Sequence, residues 1–309
     1  MADLVIVGAG PIGSWGAQAA VAERVVDRVS AVVDPDDKAR KELMETTGAP
    51  GFPSTIALPP ASEGDRALVA FSSSADKVSP EIVRLVSLGY HVVTTCEGLA
   101  WAPRHIWDAM HTSARSDGRV IVVTGTNPGF VMDRLPLMLA GASRDVRGVR
   151  VTRRVDSSTR RSSLVKKTGH GLTPDEFASG LISGAVGHKG LDASARLIAR
   201  GLLWPYHDVS VDIAPVIDGA EIVGIHHHAT LNTGDGRRID LALRMVWGLE
   251  DPVDRVEIDG TPPLTVEIEG GYPGGEGTSA QVVAALRRCS ELGPGFYRPT
   301  DLPLRFGVG

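Results

Sequence analysis

The chain is poor in cysteine: 309 residues contain only Cys96 and Cys289. That excludes a disulfide framework and a thiolate metal cluster, and it suits a reducing cytoplasm. No strong charge of either sign is present. A net charge of −5 gives no electrostatic reason to expect nucleic acid as a partner. Long hydrophobic runs are missing too. Leu4–Val7 is far too short for a signal peptide or a membrane span, and no basic region precedes it, so a cytoplasmic protein without a membrane partner is expected. Low-complexity segments and short-period repeats are absent. What remains is ordinary for a folded protein: 42% hydrophobic residues, and length enough for two domains.

The first forty residues carry the most information. Leu4-Val5-Ile6-Val7 reads as a buried strand, followed by Gly8-Ala9-Gly10-Pro11-Ile12-Gly13, a helix from Ser14 to Glu23, and a second apolar run, Val29 to Val33, ending on Asp34. Strand, glycine-rich turn, helix, strand and acid in this order form the dinucleotide fingerprint of a Rossmann unit. Gly8 permits the tight turn, Gly10 leaves room for a pyrophosphate, and Gly13 lets the helix pack on the strand. The helix start, with Pro11 and Ile12, turns its free N–H groups toward the phosphates. Asp34 is placed to accept hydrogen bonds from a ribose and to repel a 2′-phosphate, which favours NAD. Lys38 and Arg40 keep NADP as the alternative if they turn back toward the ribose; otherwise they are the exposed first turn of the next helix.

The first half then alternates strand and helix. Pro35 to Thr47 reads as a helix closed by Gly48. Ala67 to Phe71, His91 to Thr95 and Val120 to Val123 read as strands. Ser79 is expected to cap a helix with Pro80 at its first position, running to Leu88, and Pro103 to Ala114 forms another helix. Such alternation predicts a doubly wound parallel α/β sheet with ligands at the carboxyl ends of its strands. Ser72–Ser74, Cys96–Leu99 and Gly125–Phe130 emerge at those ends. Ser72 and Ser74 are candidates for the pyrophosphate or ribose. Asn127, in the turn Asn127-Pro128-Gly129, is a candidate for the nicotinamide amide, the other reading being plain turn chemistry.

The character changes near Asp133. Leu135 to Ala142 continues as a helix. Val149, Val151 and Val155 alternate with Arg150, Thr152 and Arg154, as on a strand with one wet face. Thr173 caps a helix with Glu176 three residues on, and a second helix covers Asp192 to Leu203. Strands follow from Val209, with Gly234-Asp235-Gly236 as a hairpin turn, then a helix from Thr278 to Cys289. The second half is therefore α+β, with an open mixed or antiparallel sheet. The division expected is 1–135 for dinucleotide binding, 136–285 for substrate and dimerisation, and a tail, 286–309, with the option of packing back on the first domain. In His226-His227-His228 the outer two share one strand face. They are candidates for the substrate pocket; no metal is expected, because no cysteine or acid completes a zinc site nearby. Arg160, Arg161, Lys166 and Lys167 form a basic cluster, either a solvated loop or a site for a substrate carboxylate.

Several stretches resemble the 2,4-diaminopentanoate dehydrogenase family and its kin, the native amine dehydrogenases, distant relatives of dihydrodipicolinate reductase. They are Thr95-Cys96-Glu97, Gly125 to Asp133, Arg154 to Arg161, Lys166 to Pro174, and the tail with Pro294-Gly295-Phe296 and Asp301 to Leu304. The resemblance implies an NAD(P)-dependent oxidoreductase acting on CH–NH2 groups. The reaction is oxidative deamination of an amine or diamino acid, or reductive amination of a ketone. A homodimer joined through the C-terminal sheets is also implied. Glu97, which by itself reads as a surface glutamate at a helix start, becomes the catalytic acid/base. The residue after it is often a second glutamate in the family; here Gly98 leaves one acid and is expected to widen the pocket. Leu99, Trp101 and Phe130 are expected to form an apolar wall that raises the carboxyl's proton affinity. The histidine run lacks the lysine that follows the histidine pair of dihydrodipicolinate reductase, Ala229-Thr230-Leu231 standing there instead. The alternatives are an imine reductase of that type that releases no ammonia, and a non-catalytic dinucleotide-binding sensor.

Overall fold

The computed structural model describes residues 2–303; Leu304 and the rest of the expected tail lie outside them. In chain order the elements are β1 (Leu4–Val7), α1 (Pro11–Ala22), β2 (Val29–Val33), α2 (Asp37–Thr47), β3 (Gly51–Phe52), β4 (Arg66–Val69), α3 (Ala75–Ser87), β5 (His91–Thr94), α4 (Arg104–Ser116) and β6 (Val120–Val123). Next come α5 (Arg134–Ala140), β7 (Arg144–Asp156), α6 (Ser162–Lys167), α7 (Pro174–Ser183), α8 (Leu191–Gly201), β8 (Val209–Asp218), β9 (Glu221–Asn232), β10 (Arg238–Val246), β11 (Val253–Thr261) and β12 (Leu264–Glu269). The last are α9 (Gly274–Arg288) and β13 (Gly295–Tyr297). Two compact units share this chain: one runs up to Gly129 and resumes at Gly275, the other is Phe130–Gly274.

The first unit is a seven-stranded parallel sheet in the order β13-β6-β5-β4-β1-β2-β3. Four-residue apolar strands such as Leu4–Val7 and Val120–Val123 are buried along their whole length because helices cover both faces. The order reverses at β1, which lies between β2 and β4; that switch is where a doubly wound sheet opens a crevice. Two expectations are corrected. Ser79 caps nothing: α3 begins at Ala75, and Pro80 lies inside it. The extra turn brings Val78 under cover beside Ile82, Leu85 and Val86, and a proline this near the helix start forfeits a single backbone bond. Gly295–Tyr297 of the expected tail does pack back on the first unit, as a strand alongside β6, and α9 packs Val282, Ala285 and Leu286 into the same core as Leu4, Ile6 and Leu68. The helix from Thr278 thus belongs with the first unit, not with the substrate domain.

In the second unit six strands run in the order β12-β11-β7-β10-β9-β8. Neighbours are antiparallel except β7 and β10, so the sheet is mixed. One face packs Val149, Val151, Ile225, Ala229, Leu231, Leu241 and Val256 with Leu191, Ala195 and Ile198 of α8. The other face is wet, as the alternation predicts. Thr173 and Glu176 form the expected capping box at the start of α7.

Candidate active site

Because every strand of the first unit's sheet is parallel, Gly8, Asp34, Phe71–Ser74, Glu97 and Asn127 all emerge on its carboxyl edge. Gly8 has φ +106°, and a Cβ there would stand 2.8 Å from the Ala70 carbonyl carbon. A Cβ on Gly13 would stand 2.0 Å from the Gly8 carbonyl oxygen. Around Gly10 the corresponding space is empty to 4 Å, and Gly10 offers the start of α1 no side-chain cap. Pro11 occupies the first turn. The result is a bare helix start with room for a diphosphate. The Asp34 carboxylate accepts from the Ala9 N–H (2.7 Å) and the Asp36 N–H (2.8 Å), which fixes it against the glycine-rich turn. Arg40 donates to the Asp34 carbonyl oxygen (2.6 Å) and pairs with Asp37, while Lys38 is solvent-exposed, 3.9 Å from Glu42. Both cations thus face partners on α2 or at the end of β2.

The Ser72 hydroxyl accepts from the Ser74 N–H at 3.1 Å, and the Ser74 side chain makes no capping bond. Asn127 follows β6. Its amide oxygen is enclosed and meets no hydrogen-bond donor, an arrangement that costs free energy until a donor arrives. The segment is pinned by Thr124 on the Gln281 carbonyl (3.3 Å) and by the paired hydroxyls of Thr126 and Thr278 (3.0 Å). Glu97 is half-buried and opens a 3-10 turn, Glu97–Leu99, directly after β5. In sheet order β5 lies between β4 and β6, so Glu97 issues between the Ser72–Ser74 loop and Asn127.

Two expected wall residues have other duties. Leu99 is fully buried and presents no surface to a ligand. Trp101 carries the Arg298 guanidinium on its ring (5.0 Å), which also lies over Trp107 (5.4 Å), so these rings anchor the chain just after β13.

In the second unit, Phe130 packs on Tyr272 with ring centroids 4.9 Å apart. The three adjacent histidines divide between the two faces of the sheet. His226 and His228 lie on the wet face, where His228 Nε2 and Asp240 Oδ1 are 2.5 Å apart. The register turns His227 to the helix-covered face, in one row with Leu243, Arg153 and Asp254. His227 is 3% exposed, and neither ring nitrogen has a partner. Burial pushes it down to about 4. His188, just before α8, has its Nδ1 enclosed without a partner; burial, with His227 and Lys167 adding to it, pushes it down to about 3. Arg153 donates to Asp254 Oδ2 and to the Tyr272 carbonyl, both at 2.8 Å. Of the basic cluster, Arg160 is half-buried, with Nη1 so near Gly274 that a Cβ there would stand 2.8 Å from it, whereas Arg161 and Lys166 are exposed. The sequence alone did not single out the buried Arg153–Asp254 pair or His188. For Arg153 a signal existed: it occupies the apolar phase of Val149, Val151 and Val155.

Residues 130–240 match the model of the 2,4-diaminopentanoate dehydrogenase C-terminal domain. The chain is 24% identical to the 2,4-diaminopentanoate dehydrogenase of Acetoanaerobium sticklandii over 262 residues, 78% of this chain and 74% of that one. Its fold is similar to an amine dehydrogenase from Mycobacterium smegmatis (TM-score 0.80, 15% identity, 99% and 97% of the two chains covered). It is also similar to an oxidoreductase from Agrobacterium radiobacter solved with NAD+, L-tartaric acid and magnesium (TM-score 0.60, 11% identity, 97% and 92% covered). With a fingerprinted parallel sheet in one unit and a match to this C-terminal domain in the other, the chain is a Rossmann-fold oxidoreductase related to 2,4-diaminopentanoate dehydrogenase and similar in fold to an amine dehydrogenase.

Proposed function

We propose that the protein oxidatively deaminates an amine or diamino acid with NAD, and runs the reverse reductive amination of a ketone, with Glu97 as acid/base. The observation that carries this reading is the position of Glu97, issuing from the carboxyl edge of β5 between the serine loop and Asn127. The free space at Gly10 and the unpartnered amide oxygen of Asn127 fit a dinucleotide, the latter as acceptor for a carboxamide N–H. Asp34, with Arg40 occupied behind it, favours an unphosphorylated ribose. When bound, the cofactor supplies the hydride acceptor.

Glu97 does the proton work. Hydride leaves a carbon bearing nitrogen only when the lone pair on that nitrogen is free to push. An alkylammonium must first lose a proton, and the Glu97 carboxylate takes it. That proton passes from the half-buried side chain to solvent, and the restored carboxylate stabilises the positive iminium that remains and then takes a proton from the water that hydrolyses it. The wet face of the second sheet pairs two copies, and two buried cysteines that form no disulfide suit the cytoplasm.

NADH oxidation with a panel of ketones, with and without ammonium, tests this reading. Ammonium-dependent turnover is expected; turnover of a cyclic imine alone points to an imine reductase, and cofactor binding without turnover points to a sensor. Glu97→Gln is expected to keep NADH affinity and lose turnover by about two to four orders of magnitude. Wild-type kcat in that variant refutes the assignment.

A further inference from the structure

The stretches that follow β4 and β5 stay joined beyond the sheet. Thr95 N–H donates to the Val69 carbonyl (3.2 Å), the Thr94 hydroxyl donates to the same oxygen (3.0 Å), and the Thr94 hydroxyl oxygen accepts from Cys96 N–H (3.2 Å). Past the last of these the partner changes. Gly98 N–H donates to the Ser73 carbonyl at 3.1 Å. Glu97 is thus held on both sides, at 95 and at 98, by the strand and loop that carry Ser72–Ser74.

Gly98 is the residue that lets the two backbones meet. A Cβ at 98 would stand 2.7 Å from the Ser73 oxygen and 3.0 Å from the Ala75 nitrogen. Both are backbone atoms, and Ala75 opens α3, so neither swings away as a side-chain tip would. Retreat on the other side is closed as well, because Cys96, Leu99 and Ala100 are each 0% exposed. Gly98 is not among the positive-φ glycines, so its backbone conformation suits an L-residue and the obstacle is the steric one. The expectation that glycine widens a pocket is replaced: the space beside Gly98 is filled by the Ser73–Ala75 backbone.

We propose that Gly98 is a positioning residue, which sets the Glu97 carboxylate against the Ser72–Ser74 loop by allowing that backbone contact. The inference rests on the acid/base reading of Glu97 and adds to it. It gives the missing second glutamate a physical cause, since with the turn docked this way no side chain fits at 98. A side chain there must part the turn from the loop by several tenths of an ångström, and catalysis is sensitive on that scale: a misplacement of about 1 Å costs on the order of 10²-fold in rate.

The test is a cycle of Gly98→Ala and Glu97→Gln, with kcat for ammonium-dependent ketone reduction measured in all four proteins. NADH affinity by fluorescence and thermal midpoints are followed alongside. Gly98→Ala is expected to lower kcat by roughly 10- to 100-fold with NADH affinity within a few-fold of wild type. Added to Glu97→Gln, it should lower kcat no further, because the group it positions is gone. Losses that multiply overturn the proposal and mark Gly98 as structural. Full activity in Glu97→Gln alone instead sinks the parent reading, and the proposal with it. Should Gly98→Ala not yield folded protein, Leu99→Val, which loosens the turn from behind, takes its place in the same cycle with the same two outcomes.

Discussion

Replacing Asp254 by asparagine is expected to cost the second unit about 3–5 kcal/mol of stability. Asp254 and Arg153 stand opposite each other on β11 and β7, their side chains 1% and 5% exposed and 2.8 Å apart. Burial opposes both charges, pushing the Asp254 carboxyl up and the Arg153 guanidinium down, while each attracts the other. Asparagine keeps the shape and still accepts from the Tyr272 N–H, which lies 2.7 Å from Asp254 Oδ2. What disappears is the counter-charge of a buried guanidinium. At about 4 Å and an effective dielectric constant of about 20, one charge pair amounts to about 4 kcal/mol, in the same range. Removing both charges at once, as Arg153→Met with Asp254→Leu, should cost less than either Asp254→Asn or Arg153→Met alone. Urea unfolding followed by circular dichroism measures all four proteins, fitted to two transitions if the units unfold separately. A double variant no more stable than the singles, or Asp254→Asn within 1 kcal/mol of wild type, refutes the reasoning. The pair grips Tyr272 by both its N–H and its carbonyl, and the Tyr272 ring rests on Phe130.

Asp34→Ala removes the acceptor that Ala9 N–H and Asp36 N–H share with an incoming ribose. NADH affinity should fall at least about tenfold in a fluorescence titration; a wild-type protein that binds NADPH more tightly than NADH contradicts the NAD assignment. His227 titrates at about 4 when folded against 6.5 when free, because it is buried. Between those values the unfolded chain binds the extra proton, so stability falls as pH drops from 6.5 toward 4, by up to about 3 kcal/mol. His227→Leu should flatten urea midpoints measured across that interval, and an unchanged slope counts against the buried neutral imidazole.

The features legible in the sequence are those where a backbone demand admits few residue types. Gly8 and Gly13 are such positions: any Cβ meets main chain within 3 Å. Asp34 was readable for a related reason, since a carboxylate at the end of β2 meets the turn's own N–H groups. Thr173 and Glu176 satisfy each other locally and needed no distant partner. The features misread or left open share the opposite property. Pro80 obeyed a local rule that burial of Val78 overrode. Gly295–Tyr297 becomes a strand through its neighbour β6, more than 170 residues earlier. The parity of the histidine run was plain, but which parity faces the helices depends on how β9 pairs with β8 and β10. Gly98 looked like a vacancy because the backbone that fills it comes from the end of another strand.

The insertion of one unit inside the other has a consequence for synthesis. β6 cannot acquire its outer partner until the ribosome has delivered β13, and the whole of Phe130–Gly274 is made in between. At about 5–20 residues per second, that interval lasts roughly ten to thirty seconds. Throughout it the nascent Rossmann sheet keeps an unpaired edge and lacks α9 from its core, while the inserted unit is already complete enough to fold. The part of the chain made first is the last to be finished.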